Sequence, residues 1–221
     1  VIKVERPEGD FARNYDTNAL GNSAYFVWLN RGKESIALDL KNKQDFSILK
    51  NIISKADILI QNLAPGAFDR LGESLEKLRL EFPSLITCSI SGFGDEGPYK
   101  NQKAYDMLIQ AETGVIELTG LPDKEGFDGR AKVGPSICDI SAGMTAYQAI
   151  LQALIKRGIT GKGRHISVSM FNSLAEPNRT KSYKLERVLF KTLESFPSAL
   201  FPKLWNSIEL ELKETKPGKS F

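Results

Sequence analysis

The sequence predicts an α/β domain, a Rossmann-like layered fold with a mainly parallel sheet. Three observations lead there. Short β-branched runs alternate with helical apolar periodicity along the first 170 or so residues. One run, "DILIQNL" (57–63), is apolar almost throughout, as expected of a strand covered on both faces. The spacing of strand-like and helix-like runs suits strand–helix–strand units, which close with right-handed crossovers.

Each element follows in order. "VIKVE" (1–5) predicts a strand, and with no Met before it the chain reads as a fragment, incomplete at both ends. "SIALDL" (35–40) predicts the next strand, and Phe46, Leu49, Ile52 and Ile53 then recur at helical spacing. After the strand at 57–63 come a short helix at 74–82 and a strand at about 85–90 within "LITCSISGFG". Residues 104–118 look helical. A longer helix at about 140–157 places Ile140, Met144, Tyr147, Ile150, Leu151, Leu154 and Ile155 on one broad face and closes on Lys156, Arg157 and Gly158. "TGKGR" is a turn and "HISVSM" (165–170) alternates like a strand. From residue 174 the chain turns rich in Lys, Leu and Phe without α/β rhythm. The division expected is therefore 1–173, an α/β portion, and 174–221, a divergent tail with one helix at roughly 182–195 that packs poorly.

Composition excludes several classes. The 221 residues carry 30 basic and 27 acidic side chains, a net charge of +3 spread along the chain, which argues against a nucleic-acid binder. No run approaches the roughly 18 apolar residues of a membrane helix, and no signal peptide is visible. Cys88, Cys138 and His165 cannot make a usual zinc set, so no metal is expected. A reducing, cytoplasmic setting is the default for so few cysteines.

"GFGDEG" gives Gly92, Gly94 and Gly97 the GxGxxG spacing after a strand. Pro98 follows where a helix would have to open, and Asp95 and Glu96 would repel a pyrophosphate, so a glycine-permitted loop is the reading. His165 reads as an exposed structural residue. Arg6, Lys41, Arg70 and Lys103 stand at strand exits and loops, where α/β folds bind ligands, and together they suit a phosphate-rich ligand.

Asp139 stands alone among apolar and small residues at the mouth of the long helix. Local physics permits two roles: a cap for free N–H groups, or a carboxylate nucleophile, since Ser141, Ala142 and Gly143 leave the first turn bare for a bulky ligand.

Six ordered blocks add up to something specific: "VIKVERPEGD", "SAYFVWLNRGKESIALDLK", "ADILIQNLAPGAFDRLG", "ITCSISGFGDEGPY", "KAYDMLIQAETG" and "ICDISAGMTAYQAILQALIKRGITGKGRHISVSM". Over residues 1 to about 175 they resemble the class III CoA-transferases, a family that also includes the α-methylacyl-CoA racemases. The resemblance implies an interlocked homodimer that moves CoA from an acyl-CoA thioester to a carboxylic acid acceptor. Coenzyme A is then a substrate and no cofactor is bound permanently. It assigns Asp139 as the nucleophile that forms mixed anhydride and aspartyl-CoA intermediates. CoA contacts fall on Arg6, Leu38, Lys41, Asn62, Leu63, Ala67, Arg70, Leu71, Lys103 and Met170. Asn172 stands where an aspartate is frequent in the family. Two alternatives stand beside this one. A racemase would need a histidine base where Tyr105 stands, and a truncated paralogue would only bind CoA or partners.

Overall fold

A computed structural model of the chain describes residues 1–121 and 129–179. The expected tail helix at about 182–195 and the expected poor packing of the tail lie outside the described residues.

Two compact units emerge among the described residues, one built from residues 1–103 and 144–169, the other from residues 104–121, 129–143 and 170–179. In the first unit β1 (Ile2–Glu5) pairs in parallel with β2 (Glu34–Ala37). A second, three-stranded parallel sheet runs β3 (Ile58–Gln61), β4 (Ile86–Ser91) and β5 (His165–Ser169), with β4 central. Strand existence and parallel pairing match the sequence expectation. The ladders divide into a two-stranded and a three-stranded parallel sheet, within the layered, mainly parallel α/β class expected, and β2 stops at Ala37, short of the expected residue 40.

The first unit's core explains why the strands lie where they do. Leu38, Leu49, Ile53, Phe68, Leu78 and Leu85 are buried together, with Val4, Ile36, Leu40, Phe46 and Leu59 packed against them. Leu49 and Ile53 come from α2 (Lys43–Ile53), capped by the Asn42 side chain accepting from the Gln44 N–H at 2.8 Å. Leu78 comes from α3 (Leu75–Glu81), whose cap is Ser74. Lys50 ties the two helices by reaching Glu73 at 3.0 Å and Glu81 at 2.6 Å. An unexpected helix, α1 (Ala24–Asn30), forms from "AYFVWLN", a run apolar enough to pass for a strand; the Ser23 hydroxyl, accepting from the Phe26 N–H, starts it as a helix.

The helical stretch expected at 104–118 forms two helices. α4 (Asp106–Glu112) ends at Thr113, and Gly114, with φ 72°, turns the chain into α5 (Val115–Leu118). That left-handed backbone favours glycine. α6 (Ile137–Thr160) is longer than expected at both ends; its stop is Gly161 at φ 69°, not Gly158. Arg157 anchors its last turns, donating to the Asp57 carboxylate at 2.8 Å and the Ser84 carbonyl at 3.2 Å.

α6 departs from expectation most in the face it buries. Of the broad apolar face that periodicity predicts, Ile150 is buried while Ile140, Met144, Tyr147, Leu151 and Ile155 are exposed; Cys138, Ala142, Ala146 and Ala153 are the other buried positions. Small side chains let neighbouring backbone approach closely, so the alanine face is the packed one. Met170 also departs from expectation: it opens α7 (Met170–Arg179) instead of ending β5, so the expected boundary at 173/174 falls inside a helix.

Candidate functional site

At the C-terminal ends of β3 and β4 lies a cleft of about 350 Å³. Gln61 shapes it: its Nε2 donates to the Ser89 hydroxyl at 2.9 Å, and its Oε1 accepts from the Leu63 N–H at 2.8 Å. The loop leaving β3 is therefore pinned to β4 at its first step. Ser91, Asp95 and Lys100 complete the polar lining. Of the "GFGDEG" segment, Gly94 and Asp95 line the cleft from a loop. Gly94 (φ 88°) donates its N–H to the Ser91 hydroxyl at 3.0 Å, and no helix follows Gly97, so the loop reading of this segment holds.

Of the residues expected to meet ligand, Leu63 lines this cleft, and Asn62, Ala67, Arg70 and Leu71 belong to the same loop. The Arg70 guanidinium folds back to the Pro65 carbonyl at 3.5 Å, a bond weak enough to exchange for a phosphate. Arg6 is exposed, donating to the Gly9 carbonyl at 3.0 Å beside the Phe11 ring. Lys41 and Lys103 are exposed as well. The Leu38 side chain is buried in the core, at 4% exposure, and its N–H donates to the Glu5 carbonyl at 2.8 Å. His165 is half-buried, not exposed. Its Nδ1 sits 2.9 Å from the Thr87 hydroxyl across the β4–β5 pair, and burial lowers its pKa, which fits a structural imidazole.

In the second unit Asp139 is the third residue of α6, within its first turn and not ahead of it. It does not cap. The free N–H groups of the first turn are taken by Asp106 of α4, whose Oδ1 accepts from Cys138 at 2.8 Å and from Asp139 at 3.3 Å. Asp106 is itself held by Gln110, whose Nε2 donates to Oδ2 at 2.6 Å. Gln110 is fully buried and also binds both backbone atoms of Val133. The Asp139 carboxylate is left exposed at the helix mouth. Surrounding protein, and secondly the Asp106 charge, raise its pKa above the usual aspartate value. The neighbouring Cys138 thiol is buried and pushed up to about 12, first by desolvation and then by Asp106, so it is not a nucleophile near neutral pH. Met170, in the same unit, is buried at 7% exposure.

Sequence reasoning missed Gln61, Asp106 and Gln110. A signal existed for the last two, since Asp and Gln four residues apart on a helix are a hydrogen-bonding pair.

The model of CoA-transferase family III matches residues 1–183. This chain belongs to that family. It is 44% identical over 173 residues to acetyl-CoA:oxalate CoA-transferase of Acetobacter aceti, which covers 78% of the chain and 44% of that relative. It is 35% identical over 181 residues to succinate–glutarate CoA-transferase of Agrobacterium fabrum, covering 78% of the chain and 44% of that protein. Among solved structures, a CAIB/BAIF family protein from Brucella suis superposes with a TM-score of 0.74 at 35% identity, over 89% of this chain and 51% of that one. The chain thus spans about half the length of the relatives it matches. Among the described residues no helix is long and apolar enough to cross a membrane.

Proposed function

We propose that the whole protein transfers CoA between an acyl-CoA thioester and a carboxylic acid, with Asp139 as the covalent nucleophile. The observation that carries this reading is that Asp106 already caps α6, which leaves the Asp139 carboxylate exposed and without a structural task. A raised proton affinity makes a carboxylate a better nucleophile once ionised.

The Asp139 carboxylate attacks the thioester carbonyl, forms a mixed anhydride and expels CoA thiolate. The thiolate attacks the aspartyl carbonyl, giving an aspartyl-CoA thioester and releasing the donor acid. The acceptor carboxylate attacks that thioester, forming a second anhydride and freeing the thiolate. The thiolate then takes the acceptor acyl group and returns Asp139. Every step is nucleophilic acyl substitution, so no redox partner or resident cofactor enters.

The cleft at the β3 and β4 ends, with Lys100 and the nearby Arg70 loop, is proposed to hold part of the CoA moiety, with Arg6, Lys41 and Lys103 meeting phosphates. Arg70→Ala should weaken CoA binding by about 1–3 kcal/mol, the scale of charge-assisted hydrogen bonds; native affinity by calorimetry would remove Arg70 from the site. The names of the relatives favour a short dicarboxylic acid, since those quoted act on oxalate or on succinate and glutarate. The racemase alternative gains nothing: Tyr105, where its base would stand, is 77% exposed just ahead of α4.

The deciding experiment uses natural-length protein. Asp139→Asn preserves shape and removes the anionic nucleophile. It should fold and bind CoA normally, lose nearly all turnover, and carry no acyl or CoA adduct by intact mass after acyl-CoA addition. An active Asp139→Asn enzyme sinks the mechanism.

A further inference from the structure

Asp106, 32 residues before Cys138 and within the block "KAYDMLIQAETG", accepts hydrogen bonds on both of its carboxylate oxygens. One oxygen, Oδ1, accepts two N–H groups of the α6 first turn, from Cys138 at 2.8 Å and Asp139 at 3.3 Å. The other, Oδ2, accepts from the Gln110 amide at 2.6 Å. Gln110 cannot turn over, because its Oε1 accepts from the Val133 N–H at 2.8 Å. Only a group with acceptors on both sides satisfies this arrangement. An asparagine at 106 would set its amide N–H₂ against either Gln110 or the α6 N–H groups.

We infer that Asp106 is the positioning residue of the acyl-transfer site: it fixes the helix turn from which the Asp139 carboxylate projects, and Gln110 locks it in that pose. The inference rests on the assignment of Asp139 as nucleophile. The turn is fixed on three sides: Cys138 and Gln110 are fully buried, and the Cys138 thiol donates to the Asp106 carbonyl at 3.4 Å. A carboxylate nucleophile must approach a thioester carbon along a narrow direction, so a small displacement of its backbone is costly in rate.

The charge on Asp106 acts in the same place. Two carboxylates near one helix mouth disfavour ionising both, which contributes to the upward shift of Asp139 after the larger effect of desolvation. Among the described residues, Asp106 is the charge that acts on Asp139. Cys138 stays neutral at working pH, and the Lys132 ammonium is turned to the Gly134 carbonyl at 3.3 Å.

The test again uses natural-length protein, with kcat, KM for acyl-CoA, their pH dependence and thermal stability all measured. Asp106→Asn should leave KM within about twofold and lower kcat by about tenfold or more. The acid limb of its kcat profile should move to lower pH, because the like charge is gone. A residue that only supports the fold would lower thermal stability without moving that limb. A folded Asp106→Asn enzyme with native kcat and an unmoved limb overturns the inference. Should that variant fail to fold, Gln110→Met keeps the charge at 106 but releases its lock. It should lower kcat by about threefold or more at unchanged KM, and native kcat there overturns the inference equally. Asp139→Asn run in parallel separates the two readings. If it retains turnover, both fall; if it is inactive while Asp106→Asn behaves as native, only the role of Asp106 falls.

Discussion

Glu5 shows how a single residue organises the exit of a strand. It is buried, and its carboxylate accepts from Arg13 at 2.8 and 2.9 Å, from the Asp10 N–H at 2.9 Å and from the Ser35 hydroxyl. Arg13 in turn lies over the Phe26 ring, 4.1 Å from its centroid. These bonds, Arg13 first, pull the Glu5 pKa down from 4.5 to about 2 against the opposing effect of burial. A carboxylate with a depressed folded pKa contributes stability above its unfolded pKa and loses it as pH falls through the folded one. Thermal stability should therefore decline between pH 4.5 and about 2, with Glu5 a named contributor. Glu5→Gln should lower stability by about 2 kcal/mol near neutral pH and flatten that acid decline. An equally steep decline in the variant would assign the acid sensitivity elsewhere.

Among the elements, the turn between α6 and β5 has the least freedom. A Cβ on Gly163 would collide with the backbone of Ser84 and Leu85, while its N–H donates to the Pro83 carbonyl at 2.8 Å. Gly163→Ala must push β5 away from the start of β4 and should cost about 2 kcal/mol or more. Gly158, inside α6 with open space at its Cβ position, should accept alanine with a gain of about 0.5–1 kcal/mol. Chemical denaturation of the two variants gives opposite signs if this reading is right. Equal effects would mean that the α6–β5 turn relaxes freely.

For the whole molecule, the informative feature is the apolar stripe that α6 leaves uncovered: Ile140, Met144, Tyr147, Leu151, Ile155 and Ile159, each between 41% and 84% exposed. Such a stripe is the kind of surface another polypeptide segment covers, and the interlocked homodimer that the family resemblance implies would supply one. Ile155→Lys should leave the stability of this chain within about 0.5 kcal/mol. In natural-length protein it should weaken assembly, read as a shift toward monomer by light scattering after size exclusion. An unchanged dimer would place the stripe outside the subunit interface.

Local sequence determined much of this. The five strands were legible because β-branched runs bounded by turn residues signal strands whatever surrounds them. Asp139 was legible as a lone acid in an apolar and small setting. The loop at 62–72 was legible as a strand exit. Only the tertiary structure decided the rest. α6 is apolar on two faces, and periodicity cannot say which one a neighbour will cover; the small face of Cys138, Ala142, Ala146 and Ala153 won because it admits close packing. Whether Asp139 was cap or free carboxylate could not be read either. The competing acceptor, Asp106, stands 33 residues away and reaches the helix mouth only through the fold. Propensity and periodicity act between near neighbours along the chain, whereas the partner of a helix face or of a free N–H group is chosen by which distant segment the packing delivers.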